Sequence, residues 1–340
     1  MSLRRAIITL LPLALFALRA EEPSKTIRVG IIGLDTSHSI AFAQTLNRGP
    51  KDPSHQPHFE GVRVVAAYPQ GSKDIESSTK RVPEYTEKIK SLDVEVVNSI
   101  DSLLQKVDAV LLESNDGRVH LEQLRPVLKA RKPVFIDKPI AASLTDVIQI
   151  FSEAEKAKVP VFTSSSLRYG SSTQAVRKAT FGKVSSAETF SPVNVEPTHP
   201  ELFWYGIHGC ESLFTVMGVG CRAVQRSLDD EGKIVVKGTW NDSRVGLFRQ
   251  ENGKTRKGYG GTASTDQGPK SIGTYEGYDP LLIEIVSFFK TKRPPVSPEE
   301  TIEIYSFMAA AEESRLNGGK EVLLSKIRSE ALKAAMKESK

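Results

Sequence analysis

Three groups of residues in this chain could do chemistry. The first is the run Ile27–Ile32 followed at once by Gly33-Leu34-Asp35-Thr36-Ser37-His38. A Val/Ile-rich run that breaks at glycine and re-emerges with apolar Ile40, Ala41, Phe42, Ala43 and Leu46 reads as strand, tight turn and helix. The start of such a helix offers free backbone amides to a phosphate. Aligned as G-x-G-x-x-G, the turn keeps Gly33 but places Asp35 and His38 where the other two glycines would stand. The second group is Asp137-Lys138-Pro139, at the end of the apolar run Pro133–Ile136. A lysine at the mouth of a parallel sheet can be moved toward a useful acid–base pKa by a neighbouring cation or a dry pocket. The third is Trp204, Tyr205, His208 and Glu211, whose offsets of three and four put them on one side of a helix. There His208 is the candidate proton acceptor or relay, with Glu211 or Tyr205 orienting it. His55-x-x-His58 with Glu60 has metal-ligand spacing, but it lies in the Pro-containing polar loop Lys51–Gly61 with no cysteine near it. A surface loop is the reading there, and no metal is expected.

The elements that must position these residues follow from the hydrophobic pattern. Strands are expected at Ile27–Ile32, Val62–Tyr68, Val94–Val97, Val107–Leu112, Pro133–Ile136 and Val159–Thr163. Helices alternate with them, including Ile100–Gln105, His120–Ala130 and Leu144–Ala157, which predicts a doubly wound parallel sheet. Glu76–Leu92 is expected to be helical only in part, with Pro83 limiting the helix. After residue 165 the rhythm changes. Lys183–Phe190, Ala223–Arg226, Lys233–Gly238 and Val245–Gln250 read as strands, and the turns Asp229–Gly232 and Glu251–Gly253 suit an antiparallel meander. Two helices follow, Leu281–Phe289 and Glu299–Leu316, the second capped by Ser297 and stopped at Gly318-Gly319. The expected class is therefore α/β: a Rossmann-like doubly wound sheet over 26–165, then an α+β domain with a mostly antiparallel sheet over 166–325. A Lys-rich helical tail over 326–340 completes it.

With 39% hydrophobic and 26% charged residues, the 340-residue chain has the composition of a soluble globular protein. Residues 1–20 stand apart: Arg4-Arg5, an apolar run Ala6–Leu18, then Ala20 before a polar stretch. That is the plan of an export signal, and the run is too short for a confident membrane span. An exported, periplasmic protein with no stable span after signal removal is expected, and the paired arginines suit the twin-arginine route. Without Arg4, Arg5 and Arg19 the formal charge falls from +5 to +2. The remaining charges are interspersed and form no basic stripe, which argues against a nucleic-acid partner. Cys210 and Cys221 are read as buried thiols rather than a bridge.

Together these segments resemble the Gfo/Idh/MocA oxidoreductases, the family of glucose-fructose oxidoreductase and inositol dehydrogenase, over about residues 26–325. Val134–Ala141 is similar to the family's E-K-P segment, with Asp137 for the glutamate, and Asp279–Phe289 with Pro294–Ser314 is similar to its C-terminal helix pair. The resemblance implies that Lys138 sits beside a nicotinamide and meets the substrate hydroxyl that loses its proton, with Pro139 shaping the site. It places His208 at the histidine of a D-x-x-x-H helix whose aspartate is here Trp204. Glu113-Ser114-Asn115 with His120 resembles the T-P-N-x-x-H loop under the cofactor, lengthened by two residues. Implied cofactor contacts are thus Gly33, Asp35, Thr36, Ser37, His38, Ser114, Asn115, Asp137, Lys138 and Pro139. Arg168 and Trp204 are implied substrate residues, Arg168 with a packing salt bridge as its alternative. The second strand ends without an acid before Asp74, and Ser72 and Lys73 could hold a 2′-phosphate, so NAD and NADP both remain open. An exported member would carry its cofactor tightly bound. The implied function is an exported NAD(P)-dependent oxidoreductase that transfers hydride from or to a sugar, polyol or glycoside, glycoside cleavage through transient oxidation included. Its alternative is a redox-inactive module that binds a carbohydrate or a partner, for which Asp35, His38 and Trp204 speak. A homo-oligomer is compatible with either.

Overall fold

The computed structural model describes residues 26–251 and 258–338. The expected export signal, and the expected turn residues Asn252 and Gly253, lie outside the described residues. In chain order the first unit runs β1 (Ile27–Ile32), α1 (Ser37–Arg48), α2 (Gln56–Phe59), β2 (Val62–Tyr68), α3 (Glu76–Lys90), β3 (Glu95–Val96) and α4 (Ile100–Leu104). It continues through β4 (Ala109–Leu112), α5 (His120–Lys129), β5 (Val134–Ile136), α6 (Leu144–Ala157) and β6 (Val161–Phe162). The strands form one parallel sheet in the order β3-β2-β1-β4-β5-β6. Every residue of β4 and β5 is buried, because helices cover both faces and leave no polar side to the strand. The order reverses between β1 and β4, and ligands of such sheets bind in the crevice that opens there at the strands' carboxyl ends. Pro83 does not divide its helix as expected: α3 continues through it to Lys90. Proline removes one amide donor, and the carbonyl it leaves free belongs to Thr79, which is exposed and can bond water.

The second unit contains α7 (Ser171–Arg177), β7 (Val184–Pro192), α8 (Ile207–Met217), β8 (Cys221–Leu228), β9 (Ile234–Trp240) and β10 (Val245–Glu251). It then adds β11 (Gly260–Thr265), β12 (Gly268–Ile272), α9 (Asp279–Thr291), α10 (Pro298–Leu316), β13 (Val322–Leu323) and α11 (Leu324–Glu338). Its seven strands lie in the order β12-β11-β7-β10-β9-β8-β13, antiparallel except for the pair β7 and β10. The meander β8-β9-β10 matches expectation, whereas β11 and β12 were not anticipated: Gly260-Gly261-Thr262-Ala263-Ser264-Thr265 has almost no apolar alternation. Ser297 caps α10 by accepting from the Glu300 amide, and Cys210 and Cys221 are separate buried thiols, both as expected. Helix α9 leaves its own unit to cover the first sheet. Leu281, Leu282, Ile285 and Phe289 share a core with Phe42 and Phe135, and the Phe288 and Phe162 rings lie 4.9 Å apart edge-on. That contact fixes how the helix-borne residues of the second unit face the mouth of the first sheet.

Candidate active site

Three chain segments end at the same place because β1, β4 and β5 are neighbours in a parallel sheet. Glu113 follows β4 and donates its amide to Ile32, and Asp137 follows β5 and donates to Leu112 at 2.8 Å. The pocket above them holds ≈ 240 Å³ and is lined by Thr36, Ser37, His38, Asn115, Asp137 and Lys138 from the first unit. Trp204, Tyr205 and His208 close it from the second, with Tyr259, Tyr275 and Tyr278. That volume lies below the roughly 300–1,000 Å³ of pockets for drug-sized ligands, so the closed end suits a small molecule. Lys138 is half-buried, is joined to Pro139 by a cis peptide bond, and places Nζ 4.8 Å from the centre of the Tyr205 ring. His120, buried, bridges the carbonyls of Ser114 and Ile140 with its two ring nitrogens. It thereby clamps the loop after β4 to the segment that carries Lys138.

His208 and Glu211 do not form the pair the helical spacing suggested. Leu202–Gly206 is a π-helical turn leading into α8, and the wider turn resets the side-chain phase. Trp204, Tyr205 and His208 all reach the pocket, while Glu211, one turn beyond His208 in regular α8, is drawn into the protein by its own partners. His208 Nδ1 lies 2.7 Å from Ser165 Oγ. Glu211 accepts from the Ser165 amide at 2.8 Å, from Ser164 Oγ at 2.5 Å and from Arg168 Nε at 2.6 Å. It orients His208 only through Ser165. Tyr205 meets the His208 ring edge-on at 5.8 Å. Burial, and then the nearby Lys138 and His38, push His208 well below the ordinary histidine range. The ring is neutral at pH 7, and the tautomer that donates from Nδ1 to Ser165 leaves Nε2 free to accept a proton. Arg168 is corrected from substrate ligand to buried tie: it is 1% exposed and joins Glu211 to Glu300, each at 2.6 Å.

The glycine-poor turn is also rearranged. Gly33 (φ 92°) does not face a ligand; a Cβ there would lie 2.4 Å from the Ser114 amide, so it lets the first and fourth strand loops touch. Ser114 is buried behind it, and Pro139 likewise sits under rather than in the pocket. Asp35 turns away from the pocket, but not to cap α1, whose first turn has no side-chain cap. It is fully buried and accepts from the Asn115 amide at 2.9 Å and Ser78 Oγ at 2.7 Å. Burial raises its pKa to about 6 against those two hydrogen bonds. The amide end of α1 with Thr36, Ser37 and His38 thus faces the pocket without Asp35 in front of it.

Ser72 and Lys73 lie outside the pocket. Ser72 donates to Asp116 at 2.5 Å, Asp116 pairs with Arg118, Arg118 pairs with Asp74, and Lys73 is exposed. Burial would raise Asp116, yet hydrogen bonds from Arg118 and Ser72 hold it at about 2. Sequence reasoning missed His199, which accepts from the Gly117 amide at 3.0 Å and packs its ring, tilted by 51°, against Trp204 at 4.8 Å. It also missed Tyr278, whose hydroxyl lies 3.3 Å from Ser37 Oγ and whose ring lies 4.5 Å from His38. A lone histidine before a proline carries no motif, whereas Tyr275 and Tyr278 directly precede the Asp279-Pro280-Leu281-Leu282 segment and could have been weighed with it.

Fold and site together define a Rossmann protein with a small polar pocket at the carboxyl edge of its sheet, closed by a second α+β unit. Residues 27–165 match the Gfo/Idh/MocA family, described as an oxidoreductase family with an NAD-binding Rossmann fold. Myo-inositol 2-dehydrogenase of Thermotoga maritima is 30% identical over 104 residues, which is 30% of this chain and 31% of that protein. The matched stretch therefore spans under a third of that relative. Among solved structures, a probable dehydrogenase from Thermotoga maritima superposes with TM-score 0.69 at 21% identity, covering 88% of this chain and 100% of that one. Myo-inositol dehydrogenase from Lactobacillus casei, solved with NAD(H) and myo-inositol, gives TM-score 0.67 at 18% identity, covering 88% and 96%. At such identities the likeness is one of fold, and it extends through both sheets.

Proposed function

We propose that this chain is an NAD(P)-dependent oxidoreductase acting on a small polyhydroxylated substrate, a sugar or polyol. The observation that carries it is that Lys138 and a neutral His208 line one small pocket with the uncapped start of α1. The residues fit a dinucleotide at its phosphate and nicotinamide end: the α1 amides with Thr36 and Ser37 suit a phosphate, and Asn115, Asp137 and Lys138 suit the nicotinamide riboside. Buried Asn115 Oδ1 has no partner within the protein and is available to a ligand donor. On the adenosine side Asp74 and Asp116 flank Ser72, which favours ribose hydroxyls, and hence NAD, over a 2′-phosphate. When bound, the nicotinamide supplies the hydride acceptor or donor.

The protein's own residues would handle the proton. Lys138 is placed to hold the substrate hydroxyl, with its ammonium steadied by the Tyr205 ring. His208, braced at Nδ1 by Ser165, takes the hydroxyl proton at Nε2 and returns it in the reverse direction. Trp204, in the place of the family's aspartate, offers an apolar face of the kind that packs on a sugar ring. Glycoside cleavage through transient oxidation would use the same groups. Export, with the cofactor held during transit, is proposed on residues 1–20 alone. No helix among the described residues is long and apolar enough to cross a membrane. The test is to denature the purified protein, look for released NAD(H) or NADP(H), and titrate NAD calorimetrically before screening polyols for NADH formation. Released or tightly bound nucleotide is expected; none released and none bound would replace this reading with the carbohydrate-binding module.

A further inference from the structure

Beneath the pocket lies a cluster that no spacing in the sequence reveals. His38 stands in the first turn of α1, Glu113 follows β4 and Asp137 follows β5, so three adjacent loops of the sheet deliver them to one point. One ligand atom from each lies within 4.8 Å of those of the other two. The residues are 8%, 0% and 0% exposed. His38 Nδ1 is 2.8 Å from Asp137 Oδ2, and Thr36 Oγ1 approaches Glu113 Oε2 at 3.4 Å. The remaining oxygens, Glu113 Oε1 and Asp137 Oδ1, are buried and have no hydrogen-bond partner. Unpaired buried carboxylate oxygens are rare because their lost hydration is not replaced. Asp35, also buried, adds a third carboxylate close enough to repel Glu113. The adjacent cation attracts both only at a distance, since Lys138 Nζ lies over the Tyr205 ring and makes no close ion pair with either.

We propose that His38, Glu113 and Asp137 form a binding site for a divalent transition-metal cation, Mn²⁺ or Zn²⁺. One imidazole with two carboxylates is a donor set for these ions; the nitrogen disfavours Mg²⁺ and Ca²⁺, and the absence of thiolate from the set disfavours Cu⁺. The site gives the orphaned oxygens a partner and offsets the excess of buried negative charge. His38 and Asp137 line the pocket while Glu113 lies behind them, so the ion is held from beneath and keeps positions open toward the pocket, as catalytic metal sites do. The proposal stands independently of dinucleotide binding.

The test is metal content. The purified chain is stripped with a chelator, dialysed against Mn²⁺ or Zn²⁺ and analysed by mass spectrometry, with the Mn²⁺ spin signal as a second readout. One equivalent per chain is expected, with Tm raised by the ion and restored by the chelator. His38→Gln, Glu113→Gln and Asp137→Asn should each lose that equivalent while keeping the wild-type circular dichroism. Failure of the wild-type chain to retain either ion overturns the proposal, whether or not the variants fold. So does full retention by all three variants, which would place the ion elsewhere. Calorimetric NAD binding, run on the same stripped protein, reports separately on the oxidoreductase reading.

Discussion

Ser165 Oγ lies 2.7 Å from His208 Nδ1, joining the segment after the last strand of the parallel sheet to the helix that closes the pocket. Ser165 is itself held by Glu211, so that acid of the same helix sets the imidazole through Ser165 and not by direct contact. Ser165→Ala should lower kcat about tenfold, the effect of losing one hydrogen bond worth roughly 1.4 kcal/mol, and leave KM nearly unchanged. Ser165→Thr keeps the hydroxyl and should restore most of the rate. Steady-state kinetics on the polyol found by screening decides it; a KM effect without a kcat effect would remove His208 from the proton path.

Lys138 is half-buried, with its ammonium over the Tyr205 ring and within electrostatic reach of Glu113 and Asp137. Lys138→Met fills the same volume, so loss of the cation–π contact should cost no more than about 1 kcal/mol of stability. Turnover should fall by about 10²–10⁴, the range for removing a positioned acid–base group. Calorimetry should still register NAD. A Met variant that turns over normally would show that Lys138 is a solvated lysine after a strand.

How much of this was legible in the sequence depended on the kind of pattern each feature leaves. The parallel sheet announced itself because its strands are buried on both faces and read as unbroken Val, Ile and Leu runs such as Ala109–Leu112. Lys138 and His208 were found through flanking residues that recur in one order. The strand β11 stayed hidden because glycine and threonine pack there by close backbone approach, as where a Cβ on Gly261 would meet the Glu188 carbonyl at 2.3 Å. Glu211 lost its expected direct contact because Ser164, Ser165 and Arg168, more than forty residues away in the chain, take up its carboxylate inside the protein. The His38–Glu113–Asp137 cluster joins residues far apart in the chain, which only strand order brings together.

Arg168 bridges Glu211 and Glu300, and Arg177 makes a second pair to Glu300 at 2.9 Å. Arg168→Met would leave Glu211 buried with no cation and Glu300 with only the half-buried Arg177. Removing one partner of a buried pair typically costs about 3–5 kcal/mol, and that loss is expected in urea unfolding. A substrate-binding arginine would behave oppositely, raising KM with little change in stability. The two outcomes separate the roles cleanly.

Asp35 gives the fold a pH dependence of defined sign. Burial raises its folded-state pKa from 3.8 to about 6, although Ser78 and the Asn115 amide hydrogen-bond its charged form. The folded chain therefore holds this proton more tightly than the unfolded chain. The associated stability is fully present below about pH 3.8 and is lost as pH rises through about 6. A shift of about two units corresponds to roughly 3 kcal/mol across that window. Asp35→Asn cannot ionise and can still accept from the Asn115 amide, so it should lose about 3 kcal/mol less than the wild type between about pH 4 and pH 7. Urea unfolding at steps across that range measures the difference. Parallel stability curves for the two proteins would mean that Asp35 stays ionised in the fold at no net cost. A neighbouring cation would produce that result, so the same titration run after chelation tells a bound ion from a solvated carboxylate.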